Sequence, residues 1–351
     1  MLDEQARLRG RMEADPVRFL ARELEPLLDG ALAALAQFIG AEPDSLAFVA
    51  NATAGVNAVL RSLELQPGDE ILTTDHLYPA CRNALDYVAS RSGARVAVAR
   101  LPFPLKNERE IIEHILAAAG PRARLAVLDH VTSPSALILP IAGLVAALAA
   151  RGIDTLVDGA HAPGMLPLDL RALGAAYYVG NCHKWLCAPK AAGFLNVRRD
   201  RQAGLMPLVI SHGASSTRTD KSRYRLLFDW GGTTDPTAAL CVPAALKLMG
   251  SLLPGGWPEV MRANRALALQ ARELLCRSLE LAPPAPAEML GSMASLLLPE
   301  RPADLDRLWR EEGIEVATFE QWPRLLRVSA QLYNQIEDFE KLARALRKIG
   351  L

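Results

Sequence analysis

The sequence is poor in aromatic residues, and neither sign of charge is in excess. Phe, Trp and Tyr make up 5% of its 351 residues, and 39 basic side chains balance 39 acidic ones. A formal net charge of zero gives no electrostatic basis for binding nucleic acid or an anionic membrane surface. We therefore expect neither partner. The glycine-rich fingerprints of dinucleotide and P-loop sites are also missing.

Long apolar runs are absent as well. The longest stretch without an acidic or basic residue, residues 130–150, contains Pro134 and Pro140, so no membrane span is predicted. The first 15 residues are charged and helical in pattern, unlike a signal peptide. The 5 cysteines are odd in number and irregularly spaced, which fits reduced thiols better than disulfides. Together these features predict a cytoplasmic protein.

Short apolar runs alternate with helical stretches from residue 45 onward. Such alternation is typical of βαβ units and a parallel sheet. We predict an α/β fold with a mostly parallel sheet in a large domain and a smaller α+β C-terminal domain. The predicted division is an N-terminal helical segment packing on the small domain (1–28), the large cofactor-binding domain (29–235) and the small domain (236–351). Residues 211–225, which are mostly polar, are expected to form a mobile surface segment.

Two predicted loops carry polar side chains just past buried strands. Asp158 ends the first strand and Lys184 follows the second. Ligands of open α/β sheets bind outside the carboxyl ends of the strands, so both residues can face one ligand. A lysine amine forms a Schiff base with a carbonyl, and an aspartate is the expected partner of a pyridine nitrogen. Singly, each residue is more often a turn former or a solvated charge; jointly they favour a pyridoxal 5′-phosphate (PLP) site.

Five segments in order resemble the class V aminotransferase group of fold-type I PLP enzymes, especially its isopenicillin N epimerase-like branch. The resemblance covers nearly the whole chain. The matching segments are residues 51–55, 129–134, 158–164, 180–185 and 327–329.

The resemblance implies roles for the residues nearest the cofactor ring. Lys184 would be the Schiff-base lysine and Asp158 the partner of the pyridine nitrogen. His161 would lie beside the phenolic oxygen. An aromatic ring would stack on the cofactor, and Tyr78 is the first choice with His76 as the second. We expect Lys184, Asp158, His161 and Tyr78 to be the catalytic residues.

The resemblance also implies a phosphate site. Ala52 and Thr53 open a helix, whose free backbone donors and dipole favour an anion, although the same turn could serve only as a helix cap. Asn181 and His183 would be its side-chain partners. Thr233 matches a residue that reaches the phosphate from a neighbouring subunit, which implies a homodimer with its sites at the subunit interface.

Two further residues complete the expected site. Ser133 corresponds to the position that hydrogen-bonds the phenolic oxygen in relatives, and Arg327 to the arginine that holds the substrate α-carboxylate. Between them lies Ala136, where relatives commonly have glycine.

The expected reaction begins with abstraction of the α-proton of an amino-acid substrate. Isopenicillin N epimerase-like epimerisation and C–S or β-elimination are the preferred outcomes; class V transamination, or a non-catalytic protein that kept the PLP fold, is the alternative. In the group that the sequence resembles, cysteine desulfurases carry a nucleophilic cysteine shortly before the carboxylate-binding arginine; no cysteine lies between Cys276 and Arg327 here, so desulfuration by that route is disfavoured. A metal site is not predicted, since the spacing of the Cys, His and Asp residues in segments 158–161 and 182–187 fits no common zinc pattern.

Overall fold

The structure, a computed structural model, describes residues 1–300, 304–320 and 324–351. Within these residues the chain forms a seven-stranded sheet of order β1-β7-β6-β5-β4-β2-β3 and a three-stranded antiparallel sheet of order β8-β10-β9. In the large sheet only β7 pairs antiparallel with its neighbours. The predicted mostly parallel α/β sheet and smaller α+β part are confirmed.

The strands have the following bounds: β1 Leu46–Val49, β2 Glu70–Thr74, β3 Arg95–Ala99, β4 Ala123–Asp129, β5 Asp154–Gly159, β6 Tyr177–Asn181, β7 Gly193–Val197, β8 Met293–Leu297, β9 Ala317–Phe319 and β10 Leu325–Ser329. The helices are α1 Leu2–Ala14, α2 Pro16–Arg18, α3 Leu24–Ile39, α4 Ala52–Ser62, α5 Pro79–Ser92, α6 Glu108–Ala118, α7 Ile141–Ala149, α8 Leu170–Leu173, α9 Arg223–Phe228, α10 Thr237–Leu240, α11 Val242–Gly250, α12 Gly256–Ser278, α13 Arg307–Glu312 and α14 Ile336–Lys348. A π-helical stretch, Phe19–Glu23, joins α2 to α3.

The central strands are buried on both faces, as expected for a parallel sheet covered by helices. Along β4, Leu125 and Val127 belong to one apolar cluster while Ala126 and Leu128 belong to the other. Because side chains alternate across a strand, Asp129 at the end of β4 lies on the same face as Val127. Asp158 at the end of β5 is its register partner. The sheet thus delivers two acids side by side to one edge.

The N-terminal helices pack where the small C-terminal part begins. Leu8 and Met12 share an apolar cluster with Leu240, and the Gln5 side chain donates to the Thr237 hydroxyl at 3.2 Å. Helix α3 runs unbroken across the predicted boundary at residues 28 and 29. A single apolar cluster spans both sheets, so the division into three parts stays a prediction.

The predicted mobile surface segment is wrong at its C-terminal end. Residues 223–228 form helix α9, in which Tyr224 is buried and donates its hydroxyl to the Leu195 carbonyl at 2.8 Å. Arg225 is 3% exposed, and its buried charge is compensated because Asp29 and Asp229 both accept from its guanidinium. A polar sequence therefore became part of the core through paired charges, a tertiary effect that local composition does not reveal.

The remaining differences lie in the small part. The apolar periodicity of residues 237–252 predicts one helix, but the structure has two, α10 and α11, separated at Cys241 just before Pro243. The sequence also predicts a helix over residues 303–311; residue 303 lies outside the described residues, and the structure has α13 at Arg307–Glu312. Strand β9 was not predicted. In the described part of the chain, no helix combines the length and apolar character needed to cross a membrane.

Candidate active site

A cavity of about 240 Å³ opens at the carboxyl ends of β4, β5 and β6. It is lined by most of the residues that the sequence singled out: Ala52, Thr53, Tyr78, Ser133, Asp158, His161, Asn181, His183 and Lys184. Elements far apart in the sequence therefore meet where a ligand of an open α/β sheet is expected to bind.

Lys184 and His161 form the basic side of the cavity. The Lys184 Nζ lies 3.1 Å from His161 Nε2, and Trp185 Nε1 donates to His161 Nδ1 at 3.4 Å. Since Nδ1 accepts from Trp185, we assign the imidazole proton to Nε2, which donates to an unprotonated lysine. Burial lowers the pKa of Lys184, and burial also lowers the pKa of His161 well below its usual value. The uncharged amine is the nucleophilic form.

Asp158 forms the acidic side. It is 3% exposed, and its Oδ1 accepts from the Ala160 N–H at 2.9 Å while its Oδ2 accepts from the Cys81 thiol at 3.2 Å. Burial raises the pKa of Asp158, and these two donors with the Lys184 charge oppose the rise. A carboxylate fixed in this way is a suitable partner for a protonated ring nitrogen.

The N-terminus of α4 forms a third wall. The Asn51 side chain caps the helix by accepting from the Ala54 N–H at 2.9 Å. Asn181 accepts the Ala52 N–H at 2.8 Å, so Asn181 holds the helix end to the sheet and the Ala52 donor is used. The Thr53 N–H has no partner within the described ranges and is available to an anion.

The sequence around α4 allows its close approach to the sheet. A Cβ at Gly193 of β7 would come within 2.6 Å of the Asn51 Cα, so only glycine permits this contact. His183 faces the same corner of the cavity. Its Nδ1 contacts the Ala192 carbonyl at 3.0 Å, which leaves Nε2 for a ligand.

The structure separates the two aromatic candidates. Tyr78 lines the cavity and is 41% exposed, whereas His76 is buried, with its Nδ1 2.7 Å from the Ser135 hydroxyl and its ring edge against Phe103. Tyr78 is therefore the ring available to a bound cofactor.

Arg327 reaches the cavity through Ser133. Its Nη1 donates to the Ser133 carbonyl and lies 3.1 Å from the Ser133 hydroxyl, while Phe319 lies beneath the guanidinium at 5.7 Å. Arg327 Nε is buried without a hydrogen-bond partner among the residues that the structure covers. Such a donor is suited to a carboxylate that the chain itself does not supply. Ala136, near Ser133, has φ +60°, a left-handed backbone conformation that glycine adopts more readily than alanine.

Thr233 does not reach this cavity. It lies exposed on the loop of residues 231–235, which borders a different, larger apolar cavity of about 420 Å³. A contribution to a neighbouring subunit's site stays a prediction.

Two residues near Asp158 were not singled out as site residues by the sequence. Cys81 lies in the first turn of α5, one helical turn after Tyr78, and donates to Asp158. Asp129 ends β4 as Asp158 ends β5 and lines the same cavity. The repeated pattern of a buried strand ending in Asp was the signal available for Asp129.

Comparison with known proteins fits this geometry. The sequence model of the class-V aminotransferase family matches residues 17–342. The chain belongs to the class-V aminotransferase family. It is 37% identical to an isopenicillin N epimerase of Amycolatopsis lactamdurans, over 99% of the chain and 91% of that protein. It is 30% identical to a putative L-cysteine desulfhydrase of Oryza sativa subsp. japonica, over 99% of the chain and 80% of that protein.

The fold comparison agrees. A cystine C-S lyase, C-DES, superposes with a TM-score of 0.83 at 23% identity, over 100% of the chain and 94% of that structure. The protein is a PLP-dependent enzyme, as its family membership shows.

The donor set of the cavity fits PLP. It combines a partly buried amine with a lowered pKa for the aldehyde, a buried carboxylate for the ring nitrogen and a free helix N–H for the phosphate. The described residues hold no group of three His, Cys, Asp or Glu side chains placed to bind a metal ion.

Proposed function

We propose that the protein abstracts the α-proton of an amino-acid substrate with Lys184 as the base and epimerises that carbon. The observation that carries this proposal is the placement of the Lys184 amine and the Asp158 carboxylate in one cavity of about 240 Å³. The similarity to an isopenicillin N epimerase supports the same class of reaction.

Each side chain has a separate task in this proposal. Bound PLP supplies an electron-withdrawing ring for the electron pair of the α-carbon. Asp158 keeps the ring nitrogen protonated, and the Thr53 N–H with His183 and Asn181 holds the phosphate. Ser133 orients Arg327, whose free Nε binds the substrate carboxylate. Lys184, whose pKa is lowered by burial, accepts the α-proton.

Epimerisation needs a second acid that can return the proton to the other face of the carbon. The partly exposed Tyr78 hydroxyl lines the cavity and is our candidate. The second candidate reaction is β-elimination, which the similarity to a putative L-cysteine desulfhydrase favours. Elimination uses the same first step and does not require Tyr78 as an acid.

We further propose a homodimer in which Thr233 completes the partner's phosphate site. Leu208, Val209 and Ile210 are exposed next to the apolar cavity that the Thr233 loop borders, and such a patch is typical of an interface.

A cytoplasmic location is consistent with 5 cysteines that are all free.

The first experiment tests Lys184 as the cofactor anchor and base. Lys184→Ala should abolish the visible absorption band that forms on adding PLP, and it should abolish exchange of the substrate α-proton for deuterium. Lys190→Ala, an exposed lysine on the same loop, is the matched control and should retain both signals. A Lys184→Ala protein that still exchanges the α-proton at the wild-type rate would contradict the proposal.

A second measurement separates the two reactions. With a panel of L- and D-amino acids, epimerisation converts one enantiomer into the other without releasing ammonia, whereas elimination releases ammonia and a keto acid. If Tyr78 is the second acid, Tyr78→Phe should slow formation of the opposite enantiomer more than it slows incorporation of deuterium at the α-carbon. Equal slowing of both would remove Tyr78 from that role.

A further inference from the structure

The cavity contains a second buried acid to which the proposed reaction gives no task. Asp129 is 2% exposed and lines the cavity together with Asp158 and Lys184. Its Oδ2 is buried and has no hydrogen-bond partner in residues 1–300, 304–320 and 324–351. A buried polar atom without a partner is destabilising, so its retention in a cofactor cavity calls for an explanation.

The neighbour of Asp129 is Asp158. The two residues are register partners at the ends of β4 and β5, and strand alternation places both side chains on one face. Two carboxylates confined to one site do not both ionise readily, because the second charge is repelled by the first. One member of the pair is therefore expected to keep a proton.

The hydrogen bonds show which member that is. Asp158 accepts from the Ala160 N–H at 2.9 Å and from the Cys81 thiol at 3.2 Å, and both donors favour its charged form. For Asp129, the backbone N–H groups of Tyr78 and Asp129 act on the carboxylate, but its Oδ2 has no partner among the described residues, whereas both Asp158 oxygens accept a hydrogen bond. The charged and titratable groups acting on Asp129 are Asp158, Lys184 and Cys81.

The electrostatics point the same way. Burial, and then the Asp158 charge, raise the pKa of Asp129 well above its usual value, and the backbone N–H groups of Tyr78 and Asp129 with the Lys184 charge oppose this only in part. Burial raises the pKa of the Cys81 thiol too, so Cys81 acts as a neutral donor to Asp158.

We propose that Asp129 is a positioning residue, held as a neutral carboxylic acid whose proton is a hydrogen-bond donor in the cofactor cavity, so that the Asp129 and Asp158 pair presents one negative charge to the ring nitrogen. Its role toward PLP rests on the proposed function. Its protonation in the folded chain does not.

The first test uses cofactor-free protein and the pH dependence of unfolding. An Asp that keeps its proton when folded but loses it when unfolded destabilises the fold increasingly as pH rises above its unfolded pKa. Asp129→Asn mimics the neutral acid and removes this effect. The ratio of the folding equilibrium constant of Asp129→Asn to that of wild type should thus grow roughly tenfold per pH unit above about pH 5. The growth should stop when the pH reaches the pKa of Asp129 in the folded protein.

Asp44→Asn, at an exposed position, is the control and should show no such growing difference. A difference between Asp129→Asn and wild type that stays constant or reverses as pH rises would overturn the proposal. If Asp129→Asn fails to fold, the infrared spectrum of wild type near neutral pH decides: a protonated carboxyl stretch supports the proposal, and its absence overturns it.

The second test examines the cavity with PLP as the probe. Asp129→Ala should weaken PLP binding by about tenfold, the equivalent of one lost hydrogen bond, and Asp129→Asn should recover most of it. If Asp129→Asn binds as poorly as Asp129→Ala, the position requires a charge and the proposal is wrong. If wild type does not take up PLP, the proposed function fails while the unfolding test still decides the protonation of Asp129.

Discussion

Burial lowers the pKa of both Lys184 and His161, and their side-chain nitrogens lie within hydrogen-bond distance of each other. The contact of 3.1 Å between Lys184 Nζ and His161 Nε2 is oriented by the Trp185 indole on the far side of the ring. A neutral donor facing the amine favours the unprotonated lysine, which is the form that reacts with an aldehyde.

Replacing His161 should shift the pH at which Lys184 becomes reactive. In His161→Leu the amine loses a donor to its neutral form, so the pKa of Lys184 rises and the midpoint for PLP uptake moves up by about one pH unit. The absorption band of bound PLP, followed against pH, measures the midpoint. His114→Leu, exposed on α6, should leave it in place, and a downward shift in His161→Leu would contradict the explanation.

Arg327 is a second residue whose geometry can be tested directly. Its Nη1 is engaged by Ser133 while Nε stays free, so the planar fork is already oriented for a carboxylate. Arg327→Lys keeps the charge but loses the fork. We expect kcat/KM to fall roughly 10- to 150-fold, the equivalent of one charge-assisted hydrogen bond, mainly through KM.

Steady-state kinetics of Arg327→Lys measure this effect, with Arg310→Lys, at an exposed position of α13, as the control. Wild-type KM in Arg327→Lys would show that the substrate carboxylate binds elsewhere.

Among the elements, helix α4 combines a structural task with a proposed binding one. Asn51 caps the helix, Asn181 fixes its first N–H to the sheet, and Thr53 presents the free N–H. Helix α6 has the same type of cap, in which Asn107 accepts from the Glu110 N–H at 3.2 Å, but it lies away from the cavity. The two caps form a natural pair for comparison.

Asn51→Ala and Asn107→Ala should each lower the free energy of unfolding by about 1 kcal/mol, since each removes one N-cap. Only Asn51→Ala should also weaken PLP binding, because it frays the helix end that offers the phosphate donor. Urea unfolding and PLP titration measure the two effects. Equal PLP affinities in both variants would show that the α4 N-terminus does not hold the phosphate.

At the scale of the whole molecule, one face carries several exposed apolar side chains next to an apolar cavity. Ile210 is 63% exposed, and the nearby cavity of about 420 Å³ is bordered by Trp230 and by the loop that carries Thr233. Large exposed apolar patches mark protein interfaces. The proposed dimer would cover this face and bring Thr233 to its partner.

Ile210→Asp should convert the proposed dimer into a monomer and reduce PLP affinity at the same time, because burying a carboxylate at an interface is unfavourable and Thr233 would be withdrawn. Sedimentation velocity and PLP titration measure the two effects. Leu252→Asp, at a 48% exposed position outside this face, is the control. An Ile210→Asp protein that stays dimeric would place the interface elsewhere.

Much of the fold could be predicted because its information is local. Alternating apolar strands and helices predicted the parallel sheet, and Asp158 and Lys184 stood out because Asp158 lies near the end of one buried strand and Lys184 follows another. The family resemblance added residues that the cavity brings together, among them Tyr78, His161 and Ser133. Helix α9 was missed because its burial depends on ion pairs with Asp29 and Asp229.

The sequence by itself therefore determined the α/β class and, through the family resemblance, the segments that line the cavity, since periodicity and short motifs reside in neighbouring residues. Tertiary structure alone decided that Tyr78 rather than His76 lines the cavity, that Cys81 donates to Asp158, and that Asp129 lies beside it. The reason is physical: burial, protonation and hydrogen-bond partners depend on which strand ends become neighbours, and strand order is not a property of any one segment.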